Sequence, residues 1–387
     1  MTPGRPQRVV VVGGDLGYLV RFRGQLLRAL VAGGHDVIVA APETDRSAPG
    51  RLAAMGVTYH RASLNRTGMN PLRDLRDQYA MASWFRTVRP DVVFAYGAKP
   101  IVVALAAAWL AGVPRRYAML AGLGFAFAFT HDGQRSVKRA LARQVQKATY
   151  RWLFPGCGRV IFHNHEDRDE LVRRRLVPLE RTTVVAGSGV DVSEFSPTVA
   201  PTVPPTFLFV GRMLRSKGVH ELVEAARLLR AEVPNAEVHF VGGMDQNPDT
   251  IDVGLLDAAV ARGDVIYHGQ VDDVRPFLRD CSVFVLPSYR EGLPRSALEA
   301  LATGRTTIVT DAPGCREVVR HGRHGALVPV RDAPALADAM IAYARDPERI
   351  VREGAEARRT AEQDFDVRIV TAAMLAALDL TGDASVS

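Results

Sequence analysis

Val283-Phe-Val-Leu286, followed by Ser288-Tyr-Arg-Glu-Gly-Leu-Pro-Arg-Ser-Ala-Leu-Glu-Ala-Leu301, reads as a buried strand, a Gly–Leu–Pro corner and an apolar helix. Pro294 stands where a first-turn proline is tolerated. A strand feeding a helix through a short loop is the unit from which parallel α/β sheets are built. The stretch also sets two carboxylates, Glu291 and Glu299, on either side of the corner. The first lies at the mouth of the helix and the second one to two turns in. Free backbone N–H groups at the helix start, entered through Gly292, Leu293 and Pro294, suit an anion such as a diphosphate. Carboxylates beside them can accept hydrogen bonds from sugar hydroxyls. A solvated loop glutamate and an ordinary helix glutamate would give the same letters.

A second stretch has the same form. Phe207-Leu-Phe-Val-Gly-Arg-Met-Leu-Arg-Ser-Lys-Gly218 reads as a strand, a glycine turn and a helix that runs on through Glu221 to Arg230. Arg212 and Lys217 flank the turn. A guanidinium fork and a mobile ammonium together make a clamp for a pyrophosphate, although each alone is an ordinary surface charge.

On these residues the chain resembles glycosyltransferase family 4, the retaining group with the two-domain GT-B fold. The matching pattern is Glu291, seven residues and Glu299, with Arg212 and Lys217 upstream. Gly187-Ser-Gly-Val-Asp-Val-Ser-Glu-Phe-Ser-Pro197 and Asp311-Ala-Pro-Gly-Cys-Arg-Glu-Val-Val319 extend the likeness over nearly the whole chain. Val241-Gly-Gly-Met-Asp-Gln-Asn-Pro248, Arg61-Ala-Ser-Leu-Asn65 and Ala121-Gly-Leu-Gly124 are similar to bacterial enzymes that add N-acetylhexosamine to undecaprenyl-diphosphate-linked sugars.

The resemblance implies two Rossmann-like domains facing each other across a cleft, and a nucleotide sugar, commonly a UDP-sugar, as donor. It implies Arg212 and Lys217 on the diphosphate, Glu291 on the donor sugar and Glu299 on the ribose. Gly269-Gln-Val271 would meet the base, and the turn at Gly14 would approach the donor. A polyprenyl-diphosphate-linked saccharide would be the acceptor. Many family members carry a histidine near the position of Ala121, and this chain has none there. The resemblance to a GT-B enzyme implies chemistry without a metal or cofactor.

Length and composition agree with this expectation. A chain of 387 residues allows two domains, and 47% hydrophobic with 24% charged residues is a globular balance. Cys157, Cys281 and Cys315 have no metal or redox spacing and suit a reducing cytoplasm. No apolar signal segment precedes Val9–Val12, and no uncharged run approaches the roughly 18 residues of a membrane span.

The net charge of +7 is uneven. Residues 1–200 hold 28 Lys and Arg against 15 Asp and Glu, and the remainder 21 against 27. The first half is therefore suited to an anionic partner. Nucleic acid lacks support, since no aromatic-studded basic motif or zinc-finger spacing appears. An anionic membrane surface or a phosphorylated lipid fits better.

Strands are expected at Val9–Val12, His35–Ala41, Asp91–Ala95, Arg159–Phe162 and Thr182–Ala186, with a helix near Val20–Ala32 and an Ala-rich helix at 101–111. Ser196–Thr206, with four prolines, reads as a linker between residues 1–195 and a second domain at 207–365. Strands are expected there at 207–211, 236–241, 264–268, 283–286 and 306–310. The resemblance implies a final helix, 366–387, that crosses back to the first domain.

Gly13-Gly-Asp-Leu-Gly17 does not match the G-x-G-x-x-G spacing of a dinucleotide fold. Arg21, Arg23 and Lys99 are expected near loop–helix starts, either on an acceptor diphosphate or as solvated charge. Residues 134–154 carry Arg135, Lys138, Arg139, Arg143, Lys147 and Arg151 with no acid, and Val137, Leu141, Val145, Ala148 and Trp152 recur at helical spacing. This amphipathic helix would dock on a membrane surface or pack its apolar side on its own domain. Two other functions stay open: transfer to a soluble natural-product acceptor, and a non-catalytic membrane-bound scaffold.

Overall fold

The computed structural model describes residues 6–64, 71–123, 137–245 and 249–381, with the side chains of 71–73 and 137–143 also outside the description. The chain divides into two compact units, residues 1–188 with 370–387, and residues 189–369.

The first unit is built on a seven-stranded parallel sheet. Its strands are β1 (Arg8–Gly13), β2 (Asp36–Ala41), β3 (Thr58–Arg61), β4 (Val92–Tyr96), β5 (Arg115–Leu120), β6 (Arg159–Phe162) and β7 (Thr182–Val184), in the order β3-β2-β1-β4-β5-β6-β7. Val10 is registered with Ile38 on one side and Val93 on the other. Side chains alternate between the two faces of a strand. Val10 and Val12 therefore join one core cluster with Phe85, Ile101 and Phe162, while Val9 and Val11 join another with Leu27, Phe94 and Met119. Burial on both faces explains why β1 reads as an unbroken valine run. The last helix, Val367–Ala377, lays Val370, Met374 and Ala377 in that second cluster.

The second unit holds a six-stranded parallel sheet. Its strands are β8 (Thr206–Val210), β9 (Glu237–Val241), β10 (Ile266–Tyr267), β11 (Val283–Leu286), β12 (Thr306–Thr310) and β13 (Gly325–Val328), in the order β10-β9-β8-β11-β12-β13. In both sheets the chain changes direction beside the first strand, between β1 and β4 and between β8 and β11. Loops at the carboxyl ends of such strands diverge and leave room for a ligand.

The proline-rich stretch is not a free tether. The units part at Ser188, and Thr198 is fastened within the second unit by the fully buried Arg305. That guanidinium donates to the carbonyls of Thr198 and Leu278, each at 2.7 Å, and of Arg279 at 2.9 Å. Carbonyl oxygens stand in for the missing carboxylate, satisfying a buried cation's donors. The three cysteines are free and buried, and burial pushes each thiol up to about 12.

Candidate functional site

The loops after β8 and β11 meet at the second sheet's change of direction. Lys217 ends a short 3-10 turn, Arg215–Lys217, and its ammonium donates to Glu291. Gly218 makes the approach possible. It sits at φ +72, and a Cβ there would lie 2.1 Å from the Pro287 carbonyl oxygen. Only glycine adopts this conformation without strain and leaves room for the opposing backbone. The Tyr289 amide donates to the Ser216 carbonyl at 2.9 Å, and the Glu291 amide to the Pro313 carbonyl at 2.9 Å. The lysine and the glutamate are therefore set by backbone hydrogen bonds as well as by their own charges.

Glu299 lies in the helix Arg295–Ala302 and is 6% exposed. Its carboxylate accepts from Arg295 Nε at 2.8 Å, one helical turn back. Pro294 is the residue before this helix rather than in its first turn, and Gly292, Leu293 and Pro294 form its entry. Arg212 does not close on the same carboxylate as Lys217. It is half exposed and pairs with Asp245 at 2.5 Å, in the loop after β9. The two cations thus engage acids on different loops.

The loops after β8, β9 and β10 are joined through their backbones. Gly211 N donates to Val241 O at 2.9 Å, Met213 N to Gly243 O at 3.1 Å, and Gly242 N to Gly269 O at 2.8 Å. Gly269-Gln-Val271 is thereby tied to the loops that carry Arg212 and Asp245.

Several contributors escape a reading of sequence alone. Tyr289 donates its hydroxyl to Glu221 at 2.6 Å, and Arg331 lies 4.6 Å over its ring. Ser216 donates both backbone N–H and hydroxyl to Asp249. Asp245 and Asp249 lie next to three residues outside the description, and nothing in their spacing announced partners on the β8 loop.

In the first unit, Gly14 lies in the loop after β1, where an added Cβ would stand 3.3 Å from Pro100 Cγ in the first turn of the helix Ala98–Leu110. The Asp15 carboxylate caps the helix Leu16–Ala32 by accepting from Tyr18 N at 2.8 Å, and Thr44 Oγ1 accepts from Leu16 N at 3.0 Å. That helix start is therefore furnished with protein acceptors. Lys99 pairs with Asp74 at 2.9 Å.

Arg23 is not the solvated charge that one of its two readings expects. It lies in the middle of the helix, 3% exposed, and is neither solvated nor at a loop. It donates to Gly187 O at 3.1 Å, lies 3.1 Å from His163 Nε2 and sits 4.8 Å over the Tyr96 ring. Burial, and then the Arg23 charge, hold the His163 pKa well below 6.5. A neutral His163 can accept from the guanidinium through Nε2, with its own proton on Nδ1.

Trp152 is the last residue but one of the helix Val137–Leu153 and is exposed. Arg135 lies outside the described residues, as do the side chains of Lys138 and Arg139. Among the described residues no cluster of three metal-ligating side chains occurs, and no helix is long and apolar enough to cross a membrane.

Two family models match the chain one after the other: Glycosyltransferase Family 4 over residues 20–194, and Glycosyl transferases group 1 over residues 204–346. The N,N'-diacetylbacillosaminyl-diphospho-undecaprenol alpha-1,3-N-acetylgalactosaminyltransferase of Campylobacter jejuni is 28% identical over 333 residues, covering 83% of this chain and 85% of that protein. A glycogen synthase of Mycobacterium tuberculosis is 28% identical over 385 residues, 94% of this chain and 90% of that protein. Among solved structures, Anabaena HepE in complex with UDP superposes with a TM-score of 0.76 at 18% identity, covering 97% of this chain and all of that one.

Proposed function

The chain belongs to glycosyltransferase family 4, and from that premise we propose that it transfers an N-acetylhexosamine from a UDP-sugar to a saccharide carried on polyprenyl diphosphate, with retention of anomeric configuration. The observation that carries the reading is the Lys217–Glu291 pair, set where the second sheet changes direction and beside the loop leading into the helix Arg295–Ala302.

Breaking the bond between the sugar and its diphosphate builds negative charge on the leaving phosphate. Lys217, Arg212 and the N–H groups at the helix start would stabilise that charge as it grows. This assigns charge neutralisation to side chains and backbone and needs no metal ion. Glu291 would accept hydrogen bonds from donor-sugar hydroxyls and Glu299 from the ribose. Neither is cast as nucleophile; the departing phosphate takes the acceptor's proton. The Gly269–Val271 loop would offer backbone groups to the uracil.

The lipid-linked acceptor rests on the likeness to the Campylobacter enzyme, which spans both units. The equally identical glycogen synthase supports a second reading, a soluble saccharide acceptor.

The test is UDP release by purified protein from a panel of UDP- and GDP-sugars, with and without a polyprenyl-diphosphate-linked amino sugar. Release from a UDP-N-acetylhexosamine that depends on the lipid supports the proposal. Release that ignores the lipid but responds to a soluble saccharide replaces the acceptor, and no donor consumption on any acceptor removes the activity.

A further inference from the structure

The basic helix of the first unit turns its apolar stripe the wrong way for packing. Val145, Ala148 and Trp152 follow one another at spacings of three and four, which puts them on one face. A stripe of that kind normally faces its own core. Here Val145 is 58% and Trp152 56% exposed, and Ala148 is exposed as well. The helix is held instead by Tyr150 and Leu153, which are buried with Phe154 beyond its end. Trp109, at the end of the helix Ala98–Leu110, adds a second bare indole. It is 52% exposed and meets Trp152 edge to face, with ring centroids 5.0 Å apart and planes at 67°.

We propose that this face, centred on Trp109 and Trp152, docks on an anionic lipid bilayer. Two adjacent tryptophans present an apolar body and a polar N–H, the combination that settles at the boundary between headgroups and acyl chains. Val145 and Ala148 extend the apolar contact along a helix lying in the plane of the membrane.

Charge selects the occupant. From Val137 to Leu153 the helix has no Asp or Glu, and Lys147 and Arg151 lie within its described part. Residues 1–200 carry the chain's excess of Lys and Arg. A sheet of lipid phosphates complements such a surface, whereas a second copy of the same face would repel it. The inference rests on the proposed function only in that a membrane-borne acceptor gives the surface its use; the docking itself needs no substrate.

Flotation of the full chain tests it, using phosphatidylglycerol-rich vesicles free of polyprenyl lipid, with phosphatidylcholine vesicles for comparison. The expected result is binding to the anionic vesicles alone, weakened by salt. Trp109→Ser with Trp152→Ser should lower binding at least about tenfold. Lys147→Gln and Arg151→Gln should each lower it about fivefold. Of the three tryptophans, Trp84 is stacked on His60 at 3.9 Å, so a blue shift of emission on vesicles should vanish in the double variant.

An unchanged thermal melting curve shows that each variant is folded. Absence of flotation on anionic vesicles, or equal flotation of the double variant, overturns the proposal. So does a concentration-dependent dimer that the double variant abolishes and vesicles do not compete away. Flotation without donor consumption leaves this surface standing and removes the proposed activity. Transfer to a detergent-solubilised acceptor without flotation does the reverse.

Discussion

Lys217 donates its ammonium to Glu291 from 74 positions away in sequence, and the two side chains are only 22% and 14% exposed. A pair this sheltered is screened less by water and salt than a surface bridge. Each partner fixes the other's position, so each substitution disturbs two groups.

Replacing Lys217 with Ala should lower kcat/KM for the donor about 10²- to 10³-fold, the usual loss when one charge-stabilising group is removed. Glu291→Ala should also impair turnover, and the double variant should lose less than the product of the single losses because the groups are coupled. Steady-state kinetics on all three, with thermal melts as control, check this; wild-type turnover in Lys217→Ala refutes the assignment.

Glu299→Gln should weaken UDP binding about tenfold or more, because hydrogen bonds to a charged group contribute about 1.5–3 kcal/mol. Arg295→Met removes the neighbour that accompanies Glu299 at 2.8 Å but keeps the carboxylate. It should weaken UDP binding less. Titration calorimetry with UDP separates the two, and equal losses would place the binding role on the ion pair rather than on Glu299.

Two glycines with the same sign of φ should respond differently to alanine. At Gly218 the added methyl would meet Pro287 O at 2.1 Å, whereas at Gly269, φ +69, it would find nothing within 4 Å. Gly269→Ala should cost about 1 kcal/mol from backbone strain alone. Gly218→Ala should cost more and also lower donor turnover, because the loop holding Lys217 must shift. Denaturant unfolding and kinetics on the same samples read both effects.

Acid should weaken the fold partly through His163. Its pKa lies well below 6.5 in the folded chain, first through burial and then through the Arg23 charge. As pH falls past the ordinary value, the unfolded chain takes up a proton that the folded chain refuses. This group's contribution therefore declines from about pH 6.5 toward its folded pKa, by at most about 1.4 kcal/mol per pH unit. His163→Gln should lose less stability than wild type between about pH 7 and pH 5. Parallel melting curves for the two proteins would remove His163 as a source.

Much of the framework is legible in the chain. Arg159–Phe162, Val283–Leu286 and Thr306–Thr310 have the bounds read from the sequence, because each centres on an apolar run of the kind a buried parallel strand needs. Three strands were not read. Arg115–Leu120 opens on two arginines, Thr58–Arg61 holds only one residue more apolar than threonine, and Gly325–Val328 opens on glycine and alanine. The first helix begins at Leu16 rather than Val20, since Gly17 interrupts the periodicity and the Asp15 cap was hidden in the glycine run.

At the site, residue types and loop positions could be read, but pairings could not. Lys217 with Glu291 and Arg212 with Asp245 depend on how loops fall together at the strand ends. Arg23 fails for the same reason: burial beside His163 joins residues 140 positions apart.

The two passages of chain that bound the second unit are bridged to each other, with Val190 N donating to Phe365 O at 2.9 Å and Val367 N to Val190 O at 2.9 Å. Residues 189–369 are thus an insertion with adjoining ends, and the first unit is completed by the tail that follows. That tail buries Val370, Met374 and Leu378, and Tyr117 donates to Asp379 at 2.8 Å. Genetic recombination at a single crossover near Ser188 would give the first unit a foreign closing segment, with apolar residues fitted to another core. An exchange of the second unit between relatives that spares the first unit's core requires two crossovers, with both flanks retained.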